Sequence, residues 1–297
     1  VDEASILQST LDNYISSLVL SQKAKELGFD QFTDAELAEL QAQAQEEYDT
    51  QLESIRTTYF ADSELEGDAL TAEVTAYAKA NGYTLDYQLD TAKSNKISER
   101  LKASVTDTVT ITDDDLQAAL DKEVASEKET FASTPAAYGT RVNAGTTVYY
   151  TPAGYRTIRV ISVDKPTEEG ASSDEAKQQI DALYLRLTAG EAFETLTEDV
   201  KTYAICADST TPEADVVAAA MQLTDALSYT EVLETEKAFY LAQLVEELPE
   251  HTATLEEARA TLYDATLTDA QDTAYNETVQ GWINAADIKT YTERLSD

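Results

Sequence analysis

Residues 155–163 read YRTIRVISV, an alternating run rich in β-branched residues that predicts a strand in a chain whose other long patterns are helical. Just before it, ASTPAAYGTRVNAGTTVYYTPAG (132–154) holds two of the five prolines and three of the nine glycines, a composition shift that marks a boundary. Just after it, Ser172 with Glu175 has the form of a capping box. It opens a predicted helix through Ala176, Ile180, Leu183 and Leu187 to Gly190. A second short helix is expected over AFETLTEDV (192–200), a small strand over 202–206 and a short helix over EADVVAAAMQL (213–223). AFYLAQLVEE (238–247) is expected as another good strand. The middle third therefore reads as α+β.

Outward from this insert the pattern is helical. Ile6, Leu7, Leu11, Tyr14, Ile15 and Leu18 recur at helical spacing until Gly28, and Thr33 with Glu36 forms a capping box for a long acidic helix through Leu37, Leu40, Tyr48, Leu52, Ile55 and Tyr59. Two more helices are expected over 68–80 and 84–105, interrupted at Asn81 and Gly82, and another from Asp113 after a Thr112 cap. Asp113, Asp114 and Asp115 could suggest a metal, but three acids at a helix start also match the macrodipole and the cap, so no metal site is assigned. Beyond Pro249, Thr254 and Glu257 form a further capping box, opening a helix through Ala258, Leu262, Leu267, Tyr275 and Trp282. It is expected to end near Ala286.

Composition removes several function classes. The 297 residues carry 57 acids against 21 bases, a formal charge of −36 that repels phosphate backbones, so no nucleic-acid partner is expected. A hydrophobic content of 42% with long periodic segments argues for a folded chain. No run approaches the roughly 18 apolar residues of a transmembrane span. There is no Gly-x-Ser-x-Gly, His-Glu-x-x-His, P-loop or dinucleotide fingerprint, and no cofactor is expected. The one cysteine, Cys206, has no second thiol or histidine beside it. The one histidine, His251, precedes a capped helix with no identifiable partner.

In this order the segments resemble the SurA and PrsA type of bacterial extracytoplasmic foldase, chaperones that carry a parvulin-like peptidyl-prolyl isomerase domain. The carrying residues are LVLSQKAKELGFDQFTDAEL (18–37), VTITDDDLQAAL (109–120), YRTIRVISVDK (155–165), LTAGEAFETLTEDV (187–200) and TLEEARATLYDATLTDAQDTAYNETVQGWINAADI (254–288). The resemblance implies an α+β chain with a mainly helical chaperone module formed by both chain ends and a small inserted parvulin-like domain. The corresponding boundaries are 1–134 for the N-terminal helical part, 135–154 for a linker, 155–249 for the parvulin-like domain and 250–297 for the returning helix. It also implies unfolded or extended polypeptide clients, no ATP, and a secreted or cell-surface location in a bacterium, with an export signal or lipid anchor upstream of Val1.

The isomerase signature is altered. The resemblance places one active-site histidine on Arg159 or Val160, according to register, and the second on Tyr240; neither position is histidine. The family's GGDLG loop is replaced by PEADVVAAAMQL (212–223). Cys206 and Asp208, or alternatively Tyr203, stand where the family has a polar residue. Arg159, Tyr240, Cys206 and Asp208 are thus the candidate catalytic residues. Tyrosine outnumbers phenylalanine 17 to 6, and an aromatic face with a polar edge suits varied peptides, so Tyr48, Tyr59, Tyr77, Tyr83 and Tyr87 are candidate client contacts. Tyr149, Tyr150 and Tyr155 cluster at the boundary. The turn at 23–37 is expected to form one wall of a client cradle. Three functions follow: a chaperone with a weak or inactive isomerase domain, a divergent active isomerase using Tyr240, Arg159 and a nearby acid, or a surface-complex protein with one fixed partner.

Overall fold

The computed structural model describes residues 3–168 and 172–290. It is α+β, as expected. Five long helices come first: α1 (Glu3–Glu26), α2 (Asp34–Tyr59), α3 (Gly67–Ala80), α4 (Leu85–Thr106) and α5 (Asp113–Ser133). The short α6 (Ala136–Asn143) and strands β1 (Tyr150–Thr151) and β2 (Tyr155–Asp164) follow. Then come α7 (Asp174–Thr188), β3 (Lys201–Ile205), α8 (Ala214–Ala220), β4 (Leu233–Glu234), β5 (Ala238–Leu248), β6 (His251–Thr252) and the closing helix α9 (Leu255–Ala285).

Two compact units emerge: residues 1–110 with 267–297, and residues 111–266. These divisions differ from the boundaries 134/135 and 249/250 expected from sequence. The difference arises because α5 packs with the sheet-bearing unit: Leu116, Leu120 and Val124 bury against Ala258 and Leu262. The expected linker at 135–154 holds α6, whose Tyr138 and Gly139 are buried.

The helical unit forms where capping residues predict it. Thr33 accepts from the Glu36 amide while the Glu36 carboxylate accepts from the Thr33 amide, closing the capping box of α2. Gly28 takes φ +75, the left-handed conformation that ends α1 without a Cβ clash. Arg100 of α4 then fixes this turn: it donates to the carbonyls of Phe29 (3.0 Å) and Gln31 (2.9 Å), pairs with Glu36 and stacks on the Phe32 ring.

The sheet unit centres on four antiparallel strands in the order β3-β2-β5-β4. One face packs on α7, where Ile180, Leu187, Phe193 and Leu196 meet Ile161, Phe239 and Leu241. The other packs on α8, where Val216, Val217 and Ala220 meet Ile158, Val160, Ile205, Tyr240 and Leu244. β5 is buried over its first seven residues, so both faces of this central strand are covered. Edge strand β3 is blocked by α6. The Asn143 side-chain amide accepts from the Ala204 N–H (2.7 Å) and donates to its carbonyl (3.1 Å), replacing a neighbouring strand.

Two local expectations are corrected. The helix over 192–200 is only a 3-10 turn at Phe193–Thr195, because that turn already buries Phe193 and Leu196 into the α7 face. The helix at 172–190 starts at Asp174 with no side-chain bond from its N-cap Ser173; Ser172 instead accepts from the Asp174 amide at 3.1 Å.

Candidate functional site

In the sheet unit, strand alternation decides which side chains can meet. Val160 pairs with Ala242, and Ser162 with Tyr240, placing Val160 and Tyr240 on the α8 face. Arg159 pairs with Gln243 and points the other way, reaching the Glu194 carboxylate at 3.2 Å and the Gln243 amide oxygen at 3.5 Å. The expected combination of Arg159 with Tyr240 is therefore not assembled, since the sheet lies between them.

Tyr240 is 8% exposed and donates to Glu213 at 2.9 Å. Burial first, then the Glu213 carboxylate, pushes its phenol up to about 12, so it stays protonated at physiological pH. Around it Val216, Val217 and Ala220 are buried, and Met221, Leu223 and Leu233 pack against the same cluster. A filled apolar layer occupies this face of the sheet.

Cys206 is buried at the end of β3. Its N–H donates to the Ser209 hydroxyl (3.0 Å), which lies 3.7 Å from its sulfur. Asp208 is exposed beside this turn. Tyr203, the alternative, lines a cavity of about 290 Å3 with Asn143 and Ser209. Tyr155 donates to the Pro135 carbonyl, and burial followed by Cys206 raises its phenol. His251 is exposed on β6, 3.3 Å from Glu257. Asp115 closes the cap with Thr112, and Asp113 pairs with Arg259 at 2.7 Å. These contacts give both acids structural partners.

Glu127 was not singled out from sequence. It is 2% exposed on α5, and one carboxylate oxygen accepts the amides of both Tyr149 (2.7 Å) and Tyr150 (2.8 Å), with Arg141 at 3.5 Å. Burial pushes its carboxyl above the usual range, against the pull of the two amides and Arg141. The signal was available: Leu116, Leu120, Val124, Glu127 and Phe131 share one helical stripe, with the acid inside it.

In the helical unit two cavities collect exposed apolar groups. The larger, about 630 Å3, runs between α1 and the end of α9 and is lined by Leu11, Tyr14, Ile15, Leu18, Trp282 and Ile288, with Lys23, Glu26 and Lys289 among its polar residues. Tyr14 is 62% and Leu18 52% exposed, and Ile6 and Leu7 extend the open stripe. Among the described side chains of α1, Ala24 alone is buried. Leaving such a stripe uncovered is costly in water, which marks it as a contact surface. Of the 23–37 turn, Lys23 and Glu26 reach this groove, while the residues from Phe29 to Glu36 are engaged by Arg100.

The second cavity, about 260 Å3, brings together Tyr59, Tyr77 and Tyr83, three of the five tyrosines picked from sequence. Tyr59 and Tyr77 lie 5.0 Å apart between ring centroids. Tyr48 is half-buried on α2, and Tyr87 is 56% exposed on α4. Neither lines this cavity.

These features define a class: an α+β chain whose helical unit is built from both ends and whose middle carries an antiparallel four-stranded sheet between helices. Over most of its length the chain is similar to solved structures of foldase proteins and SurA-like chaperones. It is 17% identical to the foldase protein PrsA from Streptococcus pneumoniae, over 96% of this chain and 85% of that one, with a TM-score of 0.24. The values for PrsA from Bacillus subtilis are 17%, 97%, 87% and 0.27. Those for a SurA-like chaperone of Campylobacter jejuni are 15%, 88%, 96% and 0.37. No family model and no curated protein matches the chain. Among the described residues no helix is long and apolar enough to cross a membrane.

Proposed function

We propose that this protein is an extracytoplasmic foldase-type chaperone that holds extended polypeptide along the groove between α1 and α9, without ATP. Residues 155–249 are its parvulin-like domain and serve binding or spacing instead of prolyl isomerisation. The observation that carries the reading is the open apolar groove: Leu11, Tyr14, Ile15, Leu18 and Trp282 line about 630 Å3 at the surface of an otherwise very acidic chain. An extended segment could bury alternate apolar side chains there while its backbone stays solvated at the rim. The surrounding negative charge keeps the complex soluble. The ordered resemblance of five sequence segments to the SurA and PrsA family supports the same reading.

The test is suppression of aggregation of a chemically unfolded protein diluted into buffer, with and without ATP. Suppression at near-stoichiometric amounts, independent of ATP and weakened by Leu18→Asp, is expected. Tyr14→Ser should weaken it as well. Suppression unchanged in both variants would remove the groove from the account, and no suppression by the parent chain would remove the chaperone reading.

A further inference from the structure

We propose that the notch formed by Tyr59, Tyr77 and Tyr83 takes the cationic side chain, arginine in particular, of a polypeptide held by this chaperone. The inference rests on the proposed chaperone function and adds to it a charge preference and a second anchoring point. Three observations converge.

The first is aromatic geometry. Tyr59 and Tyr77 are tilted by 34° at 5.0 Å, Phe60 and Tyr77 form a T-shaped pair at 5.7 Å, and Tyr83 completes the wall. Tyr59 is 63% and Tyr83 39% exposed, so ring faces are open to a ligand. A guanidinium stacks on such faces through the ring quadrupole. The volume of about 260 Å3 accommodates an arginine side chain.

The second is the backbone field. Tyr83 immediately precedes Thr84, the N-cap of α4, but Tyr59 is the last residue of α2 and Asn81 caps the C-terminus of α3, so two walls of the notch lie at helix C-termini. These ends carry the negative pole of the helix dipole and favour a cation. The third is charge. Residues 34–80 hold twelve carboxylates against two bases, Arg56 and Lys79, and Arg56 faces Glu53 at 3.7 Å. No charged residue lines the notch itself, so an incoming cation meets π faces instead of a competing ammonium.

The test is an NMR titration of the full-length chain with an acetylated, amidated Ala-Arg-Ala peptide and its citrulline counterpart, which has nearly the same shape and no charge. The arginine peptide is expected to bind roughly fivefold more tightly, with shifts at the notch tyrosines. Tyr59→Leu should abolish that preference and Tyr59→Phe should keep it. Neither change alters net charge, so attraction to the acidic surface alone would survive both. Equal affinity for the two peptides, an undiminished preference in Tyr59→Leu, or binding of neither peptide would overturn the inference. In each of these cases, continued protection of an unfolded protein would leave the chaperone reading standing, and its loss in the parent chain would remove both.

Discussion

Arg159 and Tyr240 occupy neighbouring strands of one sheet and project to opposite faces, Arg159 toward Glu194 and Gln243, Tyr240 into the cluster beneath α8. Two groups separated by a β-sheet cannot act on one Xaa-Pro bond, and the Tyr240 phenol is already committed to Glu213. The chain is therefore expected to leave cis/trans exchange of a short Xaa-Pro peptide at its uncatalysed rate of tens to hundreds of seconds. Exchange spectroscopy with catalytic amounts of protein checks this. Tyr240→Phe should cost about 1 kcal/mol in unfolding free energy and leave client binding unchanged.

Glu127→Ala strips both Tyr149 and Tyr150 amides of their acceptor, leaving two part-buried donors unsatisfied. A loss of about 2 kcal/mol is expected, read from urea unfolding. The pH dependence follows from burial, which raises the folded-state value of this carboxyl above its unfolded one. Its stabilising contribution is full below the unfolded value and fades as pH rises through the folded value. Comparison with Glu127→Gln across that window should show the parent losing stability relative to the variant as pH increases.

Glu36 behaves in the opposite sense. The Thr33 amide, Arg100 and the Thr33 hydroxyl hold its carboxyl below the usual range, so its contribution is present above the unfolded value and lost as pH falls through the folded one. Thermal unfolding followed by circular dichroism should show a weakened helical signal transition in mild acid, and Glu36→Gln should flatten that dependence. Arg100→Ala, which also frees the Phe29 and Gln31 carbonyls, should cost about 1–2 kcal/mol at neutral pH.

Asn143→Ala uncovers the outer edge of β3 at Ala204. An unpaired edge recruits other strands. The variant should unfold at lower urea and form concentration-dependent oligomers by size-exclusion chromatography. Gly139→Ala should be at least as damaging, since its Cβ would stand 2.5 Å from the Ala204 carbonyl oxygen.

The helices and strands were legible because their signals are local. Thr33 and Thr112 cap where the sequence has them, and YRTIRVISV alternates as a strand must. The partition into units was not legible, because whether α5 packs with the helices or with the sheet depends on its partners, Ala258 and Leu262, nearly 140 residues away. That Arg159 and Tyr240 lie on opposite faces was not legible for a related reason. A one-residue register choice at 159/160 reverses the face of the sheet, and local sequence does not fix it. The tyrosine notch was half visible: composition drew attention to Tyr59, Tyr77 and Tyr83, but only the meeting of α2 with α3 separates them from Tyr48 and Tyr87. The apolar stripe of α1 was legible as one face of a helix, but periodicity reports an apolar face without saying whether anything covers it.

Trp282 is the sole tryptophan of the chain and lines the groove, with Lys23 Nζ 5.9 Å from its ring. Its fluorescence therefore reports groove occupancy without any label. The most direct measurement is a titration of the protein with a permanently unfolded, tryptophan-free polypeptide, following Trp282 emission. A saturable blue shift, abolished by Leu18→Asp, is the predicted result. Unchanged emission while the same polypeptide demonstrably binds, by fluorescence anisotropy of a dye on the polypeptide, would contradict it and place the client elsewhere on the chain.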